Sequence, residues 1–176
     1  MIALATRGRT VATVSEVASD LESFVRYKQA ISEYDAILFI GHSLGGLVTL
    51  TTVDRLLKNM NTKSIMQCLL LASPQVPHSL AKLLILMSRS NPHLLQLASK
   101  REMNRVVGVV LDNIRTRGVG VTYIHHSLDE LISFNEDIEF DVRESCEATH
   151  SWMKLPSTRK TPAYRLLVAW IKRAKG

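Results

Sequence analysis

Short apolar runs alternate with amphipathic stretches along this 176-residue chain, the pattern of a parallel sheet covered by helices. Ile2 to Thr6 reads as a strand. Val14 to about Glu33 follows as a helix, with Val17, Leu21, Phe24, Val25 and Ile31 forming its apolar stripe. Thr13 and Glu16 make a capping-box pattern at its start. Ala36 to Ile40 is a continuous apolar run, as expected of a strand buried on both faces. Leu47, Val48, Leu50, Val53, Leu56 and Leu57 carry a second helix to about Met60. Ile65 to Ala72 is the next strand, closed by Ser73-Pro74.

From Val76 to Arg117 the patterning is helical only, over Leu80–Met87, Leu94–Ala98 and Met103–Ile114, with Ser90-Asn91-Pro92 as punctuation. This insertion is a candidate lid or substrate-facing cap, and plain core packing explains its apolar residues equally well. Val119 to Ile124 is a further strand and Ile138 to Val142 a candidate last one. Thr161-Pro162 caps a final helix to about Lys172, with proline at the first helical position, where its missing N–H costs nothing. The expected architecture is a three-layer α/β fold with a mostly parallel sheet, one domain over residues 1–176.

The junction "ILFIGHSLGGLV", residues 37–48, changes the picture from fold to chemistry. Gly41-His42-Ser43-Leu44-Gly45 is a Gly-x-Ser-x-Gly pattern, with Gly46 following, between a buried strand and an amphipathic helix. That is the context of a nucleophile elbow. The turn predicts that bulky residues at Gly41 and Gly45 would collide with neighbouring backbone. Ser43 then stands at the carboxyl end of the strand, ahead of a helix N-terminus that favours developing negative charge. The N–H of Leu44 is a candidate oxyanion donor.

A serine needs a histidine base, itself oriented by a carboxylate, and in such a fold the chain order is Ser, then Asp or Glu, then His. Asp129, in "HHSLDELISF" just past a strand end, is the candidate acid; Glu130 and Glu136 are the fallbacks. His150, in "EATHSWMKLPS", is the candidate base, because it alone of the six histidines has the required position. His42 lies within the elbow and is expected to pack against the site. His78 and His93 belong to the insertion, and His125 and His126 precede the acid.

Composition adds little to this and excludes several classes. Hydrophobic residues make up 46% and charged residues 22% of the chain, ordinary for a globular protein. The formal charge of +6 is spread along the chain and reads as solvated surface, with an anionic lipid or other anionic partner as the alternative. Nothing points to nucleic acid. The two cysteines, Cys68 and Cys146, form no disulfide framework, so the compartment reads as reducing and intracellular, cytoplasmic rather than secreted. No metal-ligand spacing occurs, and the longest apolar run, Leu80–Met87, is too short to cross a bilayer.

With these residues in view, the chain resembles an α/β-hydrolase. "ILFIGHSLGGLV" is similar to the elbow of the lipase/esterase branch, especially the group around serine-active-site-containing and GPI-inositol-deacylase-like enzymes. "HSLDELISF" resembles the superfamily's acid-bearing turn. "THSWMKLPSTRKTPAYRLLVAWI" resembles the group's ending, and the likeness spans about residues 14–72 and 119–172. The resemblance implies Ser43 as nucleophile, His150 as base and then acid, Asp129 as orienting carboxylate and Leu44 as one oxyanion donor. It implies cleavage of a small or lipid-like carboxylic ester through an acyl-enzyme, with no metal or organic cofactor.

The departure lies at the front. The family places several strands before the elbow and draws a second oxyanion N–H from the loop after the third. Here one strand and one helix precede Ala36, and Thr6-Arg7-Gly8 is the nearest substitute for that loop. The chain is therefore expected to lack the N-terminal strands. Either Ile2–Thr6 occupies the place beside the elbow strand, or that edge is open to pairing with another chain, including a second copy. Losing one oxyanion donor typically costs about 10²–10³ in rate. The alternative to an esterase is thus a weakly active or non-catalytic α/β-hydrolase-fold binding module or fragment. Peripheral contact with a membrane is a further expectation.

Overall fold

A computed structural model of the chain describes residues 13–28, 34–59, 64–88, 100–133, 135–147 and 161–174. The predicted strand Ile2–Thr6, the segment 89–99 and residues 148–160 with His150 lie outside the described residues. Helix α1 spans Val14–Lys28, strand β1 Ala36–His42, helix α2 Leu44–Asn59 and strand β2 Ile65–Leu71. Helix α3 covers Pro77–Ser88. A second helical stretch runs through α4 (Lys100–Asn104), a π-helical segment (Arg105–Val110) and α5 (Leu111–Thr116). Strands β3 (Gly120–His126) and β4 (Val142–Cys146) and helix α6 (Pro162–Ala174) complete the order.

The four strands form one parallel sheet in the order β1-β2-β3-β4, so each strand lies beside its predecessor in sequence. Alternation along β2 sorts its side chains between two cores. Met66, Cys68 and Leu70 join the larger one, with Phe39 of β1 and Val121 and Tyr123 of β3, beneath α1 to α5. Leu69 turns the other way, with Ile124 and Cys146, onto Trp170 of α6. Helices on both faces of a parallel sheet give the three layers that the alternation of patterns predicts. Among the described residues β1 is one of the two edge strands, with β4 the other, and its Ile40 is 47% exposed.

The caps read from the sequence form as expected. Glu16 Oε2 accepts from Thr13 N–H at 2.7 Å, and Thr13 Oγ1 accepts from Glu16 N–H at 3.2 Å. The Thr13 N–H and then the Thr13 hydroxyl, which donates to the same oxygen at 2.9 Å, hold the Glu16 carboxyl below its ordinary range. Pro162 opens α6, and Thr161 Oγ1 accepts from Tyr164 N–H at 3.4 Å. The described helices of the insertion each bury one side in the core. Leu80, Leu84, Met103, Val106, Val110, Leu111 and Ile114 are buried in the larger cluster, while Ile85 and Leu86 of α3 are exposed. Packing, rather than a lid, accounts for the described part of the 100–116 stretch.

One strand falls elsewhere than predicted. Ile138 to Val142 is not a strand; β4 begins only at Val142. The Asp141 carboxylate accepts the Val121 N–H at 2.6 Å, and the Asp141 N–H donates to Val121 O at 3.0 Å. A side chain thus takes the place of a ladder carbonyl just before the pairing of Thr122 with Val142 begins. Ile138 and Phe140, whose alternation suggested a strand, instead cover the end of the larger core, Phe140 stacked on Tyr123 at 4.9 Å between ring centroids.

The core also carries two acids that must stay neutral. Complete burial pushes the Cys68 thiol from 9.0 up to about 12. Burial, then the nearby Asp129 charge, pushes the Tyr123 phenol well above its ordinary range. Both groups lose their proton more readily in the unfolded chain. The Cys68 contribution is complete below pH 9.0 and is lost as pH rises towards about 12, and the Tyr123 contribution is complete below pH 10.0 and is lost as pH rises above it. Urea-unfolding midpoints should therefore fall steeply above about pH 9, and Cys68→Ala should flatten that fall. A midpoint that is level across this window would contradict the burial argument.

Candidate active site

The carboxyl ends of the strands make one rim, and the residue after each strand steps along it. Ser43 N–H donates to Leu71 O at 2.9 Å, Ala72 N–H to Ile124 O at 2.9 Å, and Ser127 N–H to Cys146 O at 3.3 Å. Each bond prolongs the parallel ladder by one residue and anchors the departing loop to the neighbouring strand. Ser43 and Ala72 leave their strands in the left-handed region, with φ of 54° and 44°. For a residue with a Cβ this conformation costs of order 1–3 kcal/mol and persists only where surroundings enforce it. At Ser43 the enforcement is visible. Its N–H is held by β2, and its carbonyl accepts from Gly46 N–H at 3.0 Å as α2 begins.

The glycines around Ser43 differ in what they permit. A Cβ at Gly41 would lie 2.6 Å from Thr49 Oγ1, 2.7 Å from Gly45 O and 2.7 Å from Gly46 Cα, so the strand can cross the helix start only without a side chain. A Cβ at Gly46 would fall on the side chain of Ser73, 2.6 Å from its Cβ. At Gly45 nothing lies within 4 Å. The expectation of a collision at Gly45 is thus corrected. That residue sits on the open side of the first helical turn, and it is Gly46 that faces β2.

Leu44 is the first residue of α2, so its N–H belongs to the helix-start donors without an acceptor in their own helix. His42 is the last residue of β1, paired with Leu71 and half-buried, directly beneath the turn. Behind α2, the buried segment Ser73-Pro74-Gln75 forms the floor. Tyr123 Oη donates to Ser73 O at 3.0 Å, which ties β3 to the loop that backs Gly46. This brace escaped sequence reasoning. Its one signal was Tyr123 itself, between Thr122 and Ile124 in the predicted strand.

Asp129 lies three residues beyond the end of β3, on the same rim as Ser43. It is half-buried, and its Oδ1 accepts from Leu131 N–H at 2.9 Å and Ile132 N–H at 3.0 Å. Two backbone donors on one oxygen fix the carboxylate and form the turn that follows. Glu130 and Glu136, the fallbacks, are exposed. His78 is exposed with Nε2 3.0 Å from Ser133 Oγ, and His125 is the penultimate residue of β3. His150 and Thr6-Arg7-Gly8 lie outside the described residues.

No family model and no curated protein matches the chain. Solved structures do match it. A carboxylesterase of the ammonia-oxidizing thaumarchaeon Nitrososphaera gargenis superposes with a TM-score of 0.61 at 12% identity, covering 96% of this chain and 75% of its own. The esterase domain of a Rhodothermus marinus protein gives 0.59 at 18% identity, covering 94% and 71%. MGS-MChE2, an alpha/beta hydrolase enzyme from the metagenome of lagoon sediments at Mar Chica, Morocco, gives 0.58 at 15%, covering 100% and 77%. At these identities the likeness is one of fold. The chain has the α/β-hydrolase fold.

Proposed function

We propose that this protein is a serine hydrolase that cleaves a carboxylic ester. The observation that carries the reading is the left-handed backbone of Ser43, in a turn pinned between the end of β1 and the start of α2. A strained serine at that place raises its hydroxyl above the sheet and sets it at a helix N-terminus. In this reading His150 takes the Ser43 proton, Ser43 Oγ attacks the carbonyl, and the Leu44 N–H receives the developing oxyanion. His150 then gives that proton to the leaving alcohol. In the second half it takes a proton from water, whose oxygen attacks the acyl carbon, and returns the proton to Ser43 Oγ as the acid departs. Asp129, held by two N–H groups, orients the imidazole and stabilises its charged form. The esterases and lipases among the structural neighbours support the reading by analogy of fold.

A fluorophosphonate probe tests it directly. The wild-type protein should be labelled on Ser43; Ser43→Ala should abolish the label and His150→Ala should reduce it strongly. Folded protein that takes no label at Ser43 would leave the fold as a binding module without ester chemistry.

A further inference from the structure

At the far end of α2 the molecule holds a second feature that ester cleavage does not use. Thr51, Asp54, Arg55 and Lys58 of α2, Arg101 and Arg105 of the second helical stretch and Ser15 of α1 together line a cleft of about 700 Å³. At 1.5 Å per helical residue, Lys58 stands about 22 Å along the axis from Ser43. Among the described residues, four cations and one carboxylate line this space, a net charge of +3.

The charges are not equally committed. Lys58 Nζ lies 2.6 Å from the buried Asp54 carboxylate, and that pair neutralises itself. Arg55 shares Glu22 at 3.9 Å and donates through Nη2 to Ser15 Oγ at 2.9 Å. Because Ser15 Oγ accepts that bond, its own O–H remains available to donate. Arg101 and Arg105 are exposed, and among the described residues neither has a hydrogen-bond or ion-pair partner. They stand four residues apart, at the point where α4 passes into the π-helical segment, and like charges at that spacing destabilise a helix. Ser15 is the second residue of α1, so the positive end of a 15-residue helix adds to the same field. Three forked guanidiniums lining one cleft, with a hydroxyl donor at a helix start, suit the oxygens of a phosphate. The volume is that of a small-molecule site.

We propose that this cleft binds a small, multiply charged phosphate ester, with Arg55, Arg101, Arg105 and Ser15 as its donors. The phosphate group belongs either to a soluble molecule or to a lipid headgroup, and the site would serve both by the same contacts. The site is independent of the ester-cleaving reading. Calorimetry with inorganic pyrophosphate and with inositol hexakisphosphate tests the soluble source. Flotation with phosphatidylcholine vesicles, with and without a phosphoinositide, tests the lipid one. Wild-type protein should bind at least one of these probes. The double variant Arg101→Gln/Arg105→Gln should weaken that binding at least about tenfold, the scale of one lost charge-assisted bond. Arg105→Lys, which keeps the charge and loses the fork, should fall between them; should the double variant fail to fold, this variant decides. Ser43→Ala should bind as wild type does, so loss of esterase activity and loss of anion binding are separately visible. Absence of binding to every probe, or equal binding by the arginine variants, would overturn the proposal.

Discussion

On the proposed function, Asp129→Asn should lower kcat for ester cleavage by roughly 10⁴-fold, the scale seen when the acid of a Ser-His-Asp triad loses its charge, while leaving stability nearly unchanged. The structure makes this substitution discriminating. Asp129 Oδ1 accepts from Leu131 and Ile132, and an asparagine carbonyl can accept both bonds in the same geometry. The turn therefore survives, and what disappears is the negative charge that would orient and stabilise a protonated imidazole. Asp129→Ala removes both, and should cost activity together with about 1–2 kcal/mol of stability from the two orphaned N–H groups. Steady-state kinetics and urea unfolding on the two variants separate the roles. An asparagine variant with near wild-type kcat would shift the acid elsewhere, with exposed Glu130 and Glu136 the next to test.

The second large effect concerns the elbow glycines. Gly41→Ala should destabilise the protein by about 3 kcal/mol, the upper range for overpacking, because two of its three close neighbours are backbone atoms that cannot yield without opening the turn. Gly46→Ala should cost about 1–3 kcal/mol, because its clash is with the buried Ser73 side chain of the floor beneath α2. Ser73→Gly removes that obstacle, so the pair Gly46→Ala/Ser73→Gly should be more stable than the sum of the single changes. Gly45→Ala meets nothing within 4 Å and trades glycine for the better helix former, a gain of up to about 1 kcal/mol. Unfolding midpoints should rise in the order Gly41→Ala, Gly46→Ala, Gly45→Ala. A Gly45→Ala variant less stable than Gly46→Ala would contradict the packing described for the turn.

The elements were legible because each depends on local periodicity. Helix α2 and strand β2 bury the residues that their spacing marks, and Thr13 with Glu16 closes a bond pattern within four residues. The place of Ser43 was legible for the same reason. A strand, a Gly-x-Ser-x-Gly turn and a helix follow one another without a break, and their backbone angles are a local matter. The predicted end of that strand at Ile40 fell short by two residues, since pairing with Leu70 and Leu71 extends β1 through Gly41 and His42.

Relations between segments were not legible, and they decide the rest. Whether Gly45 or Gly46 must lack a side chain depends on Ser73, twenty-seven residues away, because only packing says which face of α2 meets β2. The start of β4 depends on an Asp141 carboxylate reaching across to Val121. The basic cleft joins arginines from two helical stretches that no linear pattern connects. The sequence alone thus determined the elements and the serine's turn, since hydrophobic periodicity and backbone sterics act over a few residues. The tertiary structure alone decided which side chains meet, since those contacts are set by close packing between segments distant along the chain.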